Sequence, residues 1–407
     1  SGRGREPFVA VPWDEALDMA AAELDRIKAA HGNTAFYAGS YGWASAGRFH
    51  HANSHIHRFF NQFGGYVRHE GTYSYAAAQQ ILPHVVGKLK PLLDQHTTWP
   101  VLAEHCELLV SFGGMPVKNA QVTSGGVGRH TCYHGLKACA DQGCEIVYLS
   151  PIRIDMPPDL GAEWIPVRPG SDAALMLALA HTLIVEGRHD IAFLDRYTVG
   201  FDRFRAYVVG DSDGQPKTPE WASAISGVPA DTIRDLARRM ADSRTMINST
   251  WSMQRCEYGE QPIWLTVVLA AMLGQIGLPG GGFGVGYSSE NGVGNPVRYF
   301  HWPSVPQGPN PVRDVIPVAR VSDMLLNPGG PFQFDGQDLT YPDIRLVYWA
   351  GGNPFHHHQD LHKMVEAFRR PETVIVNEIW WTAMARHADI VFPSTTALER
   401  NDLSITH

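Results

Sequence analysis

The sequence has no Cys-x-x-Cys pair, and Cys106, Cys132, Cys139, Cys144 and Cys256 show no iron–sulfur ligand spacing. An odd count without close pairing reads as reduced, structural thiols and not as a disulfide framework. No run of eighteen apolar residues occurs, so no transmembrane helix is expected. Charged residues are scarce, at 18%, and the net charge of -8 comes without a long basic run. That argues against nucleic acid as the main partner. His51 and His55 stand four apart with no Glu between them in the zincin pattern, so solvated or core histidines are the default reading.

Apolar bulk is plentiful instead. At 44% apolar over 407 residues, two or three packing units are expected. Buried Trp and His need partners, and the chain has eleven and twenty of them, which suits a large polar ligand held inside the protein.

The first informative stretch runs from position 41 to 78. It opens YGWASAGRFHHA, continues through a histidine-bearing helix to Gly64-Gly65, and ends GTYSYAAA. Before it, 12–31 reads as a helix with Leu17, Ala20, Ala21, Leu24 and Ile27 at helical spacing, and 34–40 as a short buried strand. A strand that ends in a Gly-containing loop and then a helix places Tyr41, Gly42 and Trp43 at the carboxyl edge of a parallel sheet, where open α/β sheets bind ligands. Read from chemistry alone, Ser74 before an alanine run is a helix N-cap.

The theme repeats. Leu108 to Phe112 is a near-continuous apolar run, typical of a central parallel strand, and Gly113-Gly114 lets backbone approach a ligand, though without a Gly-x-Gly-x-x-Gly fingerprint. Residues 85–101 read as a connector, 125–143 as a helix and 145–155 as another buried strand. PGSDAAL offers Ser171 or Asp172 as N-cap of an amphipathic helix, whose free N–H groups suit phosphate or ribose hydroxyls. A strand ends at Thr250, with Trp251, Ser252 and Arg255 just past it, then a buried helix over 261–276 and a loop over 280–284. Arginine suits bidentate contacts to phosphate. Residues 288–342 carry little periodicity and read as a long irregular loop over the site. Then 343–368 gives strand, Gly-Gly-Asn-Pro and helix, and 373–402 gives a strand with Asn377 and Glu378 at its end.

These motifs together resemble the molybdopterin oxidoreductases of the dimethyl sulfoxide reductase family, in the branch of biotin and methionine sulfoxide and trimethylamine N-oxide reductases. YGWASAGRFHHA, GTYSYAAA, PGSDAAL, WSMQR with LGQIGLPGGGFG, and GGNPFHHHQD carry the resemblance over essentially the whole chain. It implies an α/β fold: two Rossmann-like α/β/α units with mostly parallel sheets. A discontinuous unit, 1–88 with 309–407, carries the metal-ligand loop and the contacts to the second pterin. A dinucleotide-binding unit spans 89–308. The sequence starts at Ser1 and not at Met, and is read as the central fragment of a larger molybdoenzyme, with the C-terminal barrel-like domain absent and any cluster motif or targeting signal lying upstream.

The same resemblance implies the chemistry: oxygen-atom transfer from an S-oxide or N-oxide at molybdenum (tungsten stays open) held by two molybdopterin guanine dinucleotides, with no iron–sulfur cluster in this chain. Ser74 is the metal ligand. Tyr41 and Trp43 donate hydrogen bonds at the metal. Gly42, Ala44 and Ser45 line the cofactor with them. Lys118 and Asn119 cradle one pterin; Leu149, Ser150, Gly170, Ser171 and Asp172 hold its guanosine; and Trp251, Ser252 and Arg255 contact the dinucleotide. Asn353, His357, Asn377, Glu378 and Arg400 serve the second one. Formate and nitrate relatives use Cys, selenocysteine or Asp as ligand, and no Cys lies near position 74. The competing readings are a trimethylamine N-oxide reductase specifically, or a scaffold that kept the fold and lost the metal. The electron donor is a soluble reductant or a cytochrome, and the compartment the cytoplasm, with the periplasm as alternative.

Overall fold

The structure, a computed structural model, describes residues 2–40, 47, 49–121, 129–296 and 305–403. The chain divides into two compact units, 1–73 with 300–406, and 74–299. Thirteen strands are placed among the described residues: β1 Phe36–Gly39, β2 Arg68–Glu70, β3 Leu108–Phe112, β4 Glu145–Leu149, β5 Glu163–Ile165, β6 Thr245–Ser249, β7 Gly282–Val285, β8 Val315–Pro317, β9 Pro331–Phe334, β10 Gln337–Thr340, β11 Leu346–Ala350, β12 Thr373–Glu378 and β13 Ile390–Pro393.

The unit 74–299 is built on a five-stranded parallel sheet of order β5-β4-β3-β6-β7. In order of appearance that is 3-2-1-4-5, the plan of a dinucleotide-binding half-fold. Its central strand, β3, is apolar on both faces, because both are covered. Leu108, Val110 and Phe112 pack with the helices Asp172–Val185 and Glu260–Met272, through Leu175, Leu179, Leu265 and Leu269. Leu109 enters the opposite cluster with Leu102, Leu136, Ile263 and Val267. Successive side chains alternate across a strand, so one apolar run feeds two cores.

The other unit carries a four-stranded parallel sheet of order β1-β11-β12-β13. Tyr37, Val347, Trp349 and Val376 face one core, and Phe36, Leu346, Ile375 and Phe392 the other. The long helix Trp13–His31 buries Ala20, Leu24 and Ile27 against the second of these. Leu17 and Ala21, expected on that face, are exposed, because the helix meets the sheet through a narrow stripe.

Several local expectations are corrected. The glycine-rich 280–284 is not only a loop: β7 begins at Gly282 and pairs with β6 from Met246↔Gly282 onward. A Cβ on Gly284 would sit 2.3 Å from the Tyr287 ring, so the strand needs glycine where propensity disfavours it. The connector 85–101 contains the helix Leu89–Asp94 and the start of Trp99–His105. The irregular 288–342 holds β8, paired in parallel with β2, the helix Val321–Leu326 and the β9–β10 hairpin. These pieces are too short to display a period. No helix among the described residues is long and apolar enough to cross a membrane.

Candidate functional site

In the unit 74–299 the chain leaves β3 for β4 on one side, while β6 lies on the other. The carboxyl ends of β3 and β6 therefore flank the point where strand order reverses, the usual crevice for ligands in open parallel sheets. Thr250 N donates to Phe112 O at 3.0 Å and Gly113 N to Leu149 O at 2.8 Å, so both strand ends are held at one level. Behind them Asn248 Nδ2 donates to Ser111 Oγ at 2.9 Å, and Ser111 Oγ donates to Gly114 O at 3.0 Å. Both side chains are buried, and these bonds inside the sheet aim the turn outside it.

The turn itself requires glycine. Gly113 has φ +91 and Gly114 φ +74. A Cβ on Gly113 would lie 2.0 Å from Thr250 Oγ1, and one on Gly114 2.6 Å from Asp155 Cβ. Beyond the turn opens a cleft of about 370 Å³. Lys118, Asn119, Trp251, Ser252 and Arg255 line it together with Thr250, Ser288 and Ser289. Sequence-assigned residues from two distant segments thus meet in one place. Two cations and several hydroxyls line the cleft, and among the described residues no carboxylate does. That donor set suits a phosphate-bearing ligand. Desolvation by the walls draws the Arg255 guanidinium below the ordinary arginine range.

Ser74 stands where the second unit begins. It is not the cap of the following helix: Ala76–Val85 has Tyr75 at its N-cap position, with φ −156 and no side-chain cap bond. The chain here is held from the 251–255 segment. Gln254 Nε2 donates to Ser74 O at 2.8 Å, and Gln254 Oε1 accepts from Ala78 N at 2.8 Å. Tyr75 packs edge-on against Trp251, with ring centroids 4.7 Å apart. Gln254, 7% exposed, is a residue the sequence reading passed over. Its signal was present: an amide side chain between two assigned positions just past a buried strand. Ser288 and Ser289 were also missed, and Ser289 Oγ accepts from Trp251 N at 3.0 Å.

The residues assigned to guanosine part company. Leu149 is fully buried at the end of β4. Ser150 is fully buried too; its hydroxyl donates to Asp155 Oδ2 at 2.7 Å and accepts from Ile152 N, and its carbonyl accepts from Trp164 Nε1. Neither lines the cleft. Ser171 holds the N-cap position, yet its hydroxyl donates to Arg168 O at 2.6 Å and caps nothing. Gly170 and Asp172 line a neighbouring cavity of about 610 Å³, with Leu177, Phe204, Cys256, Tyr258 and Gln261. Burial raises the Asp172 carboxyl to about 6. A carboxyl raised above its unfolded value binds its proton more tightly in the native state, so ionisation opposes folding. Stability is therefore expected to fall as pH rises from about 4 to about 6 on account of this group, and Asp172→Asn to remove that slope in urea unfolding followed across the range.

In the other unit, Asn353 caps the short helix Pro354–His357 by accepting from Phe355 N at 3.2 Å. Its Nδ2 is buried without a partner, a donor that a ligand could satisfy. His357 Nδ1 is 3.1 Å from Asn353 O, while His358 Nδ1 meets the Tyr73 hydroxyl at 2.7 Å. Burial pushes His358 down to about 4, which keeps it neutral at pH 7. Asn377 and Glu378 end β12, and Glu378 accepts from Ile379 N and the Thr382 hydroxyl. Arg400 donates from Nη1 to Thr395 O, and its Nε is buried and unpartnered. His51 caps the helix Ala52–Phe63, and among the described residues no group of three or more His, Cys, Asp or Glu is placed to hold a metal ion. Tyr41, Gly42, Trp43, Ala44 and Ser45 lie outside the described residues.

Comparison with known proteins is consistent with this geometry. The family model described as "Molybdopterin oxidoreductase" matches residues 3–407. Biotin sulfoxide reductase of Cereibacter sphaeroides is 50% identical over 99% of the chain and 54% of its own length. A dimethyl sulfoxide/trimethylamine N-oxide reductase of the same organism is 48% identical, over 99% of the chain and 50% of its own length. Trimethylamine-N-oxide reductase of Haemophilus influenzae is 45% identical, with the same coverage. The chain thus spans about half the length of these relatives. Among solved structures, acetylene hydratase from Pelobacter acetylenicus has a TM-score of 0.62 at 18% identity, over 98% of this chain and 54% of that one, a likeness of fold.

Proposed function

The chain belongs to the molybdopterin oxidoreductase family, whose cofactor is molybdenum on a pterin, and from that premise we propose that it binds two molybdopterin guanine dinucleotides and serves the reduction of S-oxides or N-oxides. The observation that carries this reading is the meeting of Lys118, Asn119, Trp251, Ser252 and Arg255 in one cleft at the switch point of the sheet, lined among the described residues by no carboxylate. The names of the relatives at 45% to 50% identity support the substrate class.

The residues present fit the group. The turn at Gly113 and Gly114 leaves a cradle that a Cβ would fill, and Asn353 Nδ2 is a buried donor without a partner. When bound, the cofactor supplies two-electron chemistry that removes an oxygen atom from the substrate. The chain's own residues bind and orient. Lys118 and Arg255 offset pyrophosphate charge, and Ser252 offers a hydroxyl for a hydrogen bond. Asp172, ionised above about pH 6, accepts from ribose or a guanine edge. Ser74 presents its hydroxyl as the metal ligand, with its backbone held by Gln254. Tyr41 and Trp43 serve as hydrogen-bond donors to the reacting oxygen. The five cysteines hold no iron–sulfur cluster in this reading, and electrons come from an external soluble reductant or cytochrome.

Gln254 is a positioning residue. Gln254→Ala is expected to lower kcat about tenfold to a hundredfold with KM little changed. Gln254→Glu keeps an acceptor for Ala78 N, but as a carboxylate cannot donate to Ser74 O, and is expected to behave alike. Steady-state kinetics on cofactor-replete full-length protein reads this split; a rise in KM alone would count against it.

The proposal is tested by assaying full-length protein for molybdenum, tungsten and GMP released by acid hydrolysis. About one molybdenum and about two GMP per chain are expected. Neither, from a host able to make the cofactor, would overturn it in favour of a scaffold.

A further inference from the structure

The opposite edge of the five-stranded sheet carries a feature that the cofactor reading leaves unused. Cys144 immediately precedes β4 and Cys106 lies two residues before β3, and these strands are parallel neighbours with Leu108 opposite Glu145. Glu145 N donates to Glu107 O at 2.9 Å, which fixes that register at the start of the ladder. Glu107 therefore stands opposite Cys144, and Cys106 lies one residue out of register. Adjacent strands run about 4.8 Å apart. That spacing brings the two Cα atoms into the range of about 4.4–6.8 Å that a disulfide spans.

The side chains point the same way. A bend at Glu107 turns Cys106 into the core cluster that holds Cys144, Leu109 and Ile146. Both cysteines are 6% exposed; the Cys106 thiol donates to Leu108 O at 3.3 Å and the Cys144 thiol to Glu145 O at 3.5 Å, and the two lie near enough to perturb each other's ionisation. A polar crevice of about 490 Å³, lined by His105, Cys106, Glu107, Gly143 and Arg244, gives a small molecule access to Cys106 from solvent.

We propose that Cys106 and Cys144 form a reactive dithiol that a small hydroperoxide converts to a disulfide. The Cys106 sulfur attacks the nearer peroxide oxygen. The O–O bond breaks, the leaving oxygen takes a proton and departs as water (or an alcohol), and Cys106 becomes a sulfenic acid. The Cys144 sulfur then attacks the Cys106 sulfur, expelling the sulfenic hydroxyl with the Cys144 proton as a second water. Two thiols are oxidised by two electrons, and one peroxide is reduced by two. The division of labour follows from access: Cys106 lines the crevice and Cys144 does not. Cys139 is close by but fully buried on its helix, with its thiol pushed up to about 12, and takes no part.

The test uses the full chain carrying Cys256→Ser, which removes the exposed thiol. It is treated with hydrogen peroxide, quenched in acid, alkylated after unfolding and digested for mass spectrometry. The expected result is loss of alkylation at Cys106 and Cys144 together, and one linked peptide pair lighter by two hydrogens. Cys144→Ser is expected to leave Cys106 as a sulfenic acid that a 1,3-dione tags, and Cys106→Ser to abolish link and tag. The linked peptide in the parent chain decides the question even where a variant fails to fold. The proposal is overturned if both thiols remain alkylatable after peroxide, or if either links to Cys132 or Cys139 instead.

Discussion

Replacing Ser74 by Ala is expected to abolish turnover while leaving the fold in place. The expected loss is a thousandfold or more in kcat, about 4 kcal/mol of barrier. The fold should survive because the hydroxyl makes no helix cap: the N-cap position belongs to Tyr75, and the turn is held through the Ser74 carbonyl and the Ala78 amide by Gln254. Both groups are backbone, and the substitution leaves them unchanged. The measurement is turnover of an S-oxide by full-length variant whose molybdenum and GMP contents equal those of the parent. A cofactor-replete Ser74→Ala protein with parental kcat would show that the metal takes its protein ligand elsewhere.

The second large effect is structural and falls on the cleft floor. Gly113→Ala places a methyl 2.0 Å from Thr250 Oγ1 on a backbone with φ +91. Two costs add. A non-glycine residue in this region costs about 1–2 kcal/mol, and the clash forces apart two strand ends that are hydrogen-bonded to their neighbours. A total of about 3–5 kcal/mol is expected in urea unfolding. Gly187→Ala separates the terms, because Gly187 has φ +65 and nothing within 4 Å of its ideal Cβ. It should show only the conformational cost, about 1 kcal/mol. If both variants lose the same amount, the close approach of the Gly113 and Thr250 turns is not what demands glycine. Gly113→Ala is also expected to lower GMP retention, since the methyl enters the cradle.

The largely apolar runs at 108–112, 145–149, 346–350 and 373–376 were legible because strands buried on both faces are mostly apolar, and 245–249 was legible from the position of Thr250 and the WSMQR motif after it. Each is followed by small or polar residues, so the sheet edge that carries the site was legible too. What escaped was of two kinds. β7 is written in glycines, which propensity assigns to loops; it is a strand because β6 offers it a free ladder edge and Tyr287 leaves no room for side chains at Gly284. The helices at 89–94 and 99–105 and the pairing of β2 with β8 are too short for any period to show, and they form because the surrounding units supply the partners.

The sequence by itself determined the alternation of strand, glycine turn and helix, and the residue types that gather at each strand end: lysine with asparagine, tryptophan with serine and arginine, asparagine with histidine. Pattern and polarity act locally, so they can be read locally. Which strand ends face one another was decided only in three dimensions. β3 sits between β4 and β6, so the 118–119 and 251–255 segments share a cleft, while Leu149 and Ser150, equally well placed along the chain, turn their polar groups inward to Asp155 and Trp164. The sequence left Ser74 divided between a helix cap and a metal ligand. In the tertiary structure the N-cap position falls on Tyr75, and a buried glutamine far along the chain holds the turn through the Ser74 carbonyl and the Ala78 amide. Crossovers and long-range hydrogen bonds set such matters, and their free energy depends on partners that no local window contains.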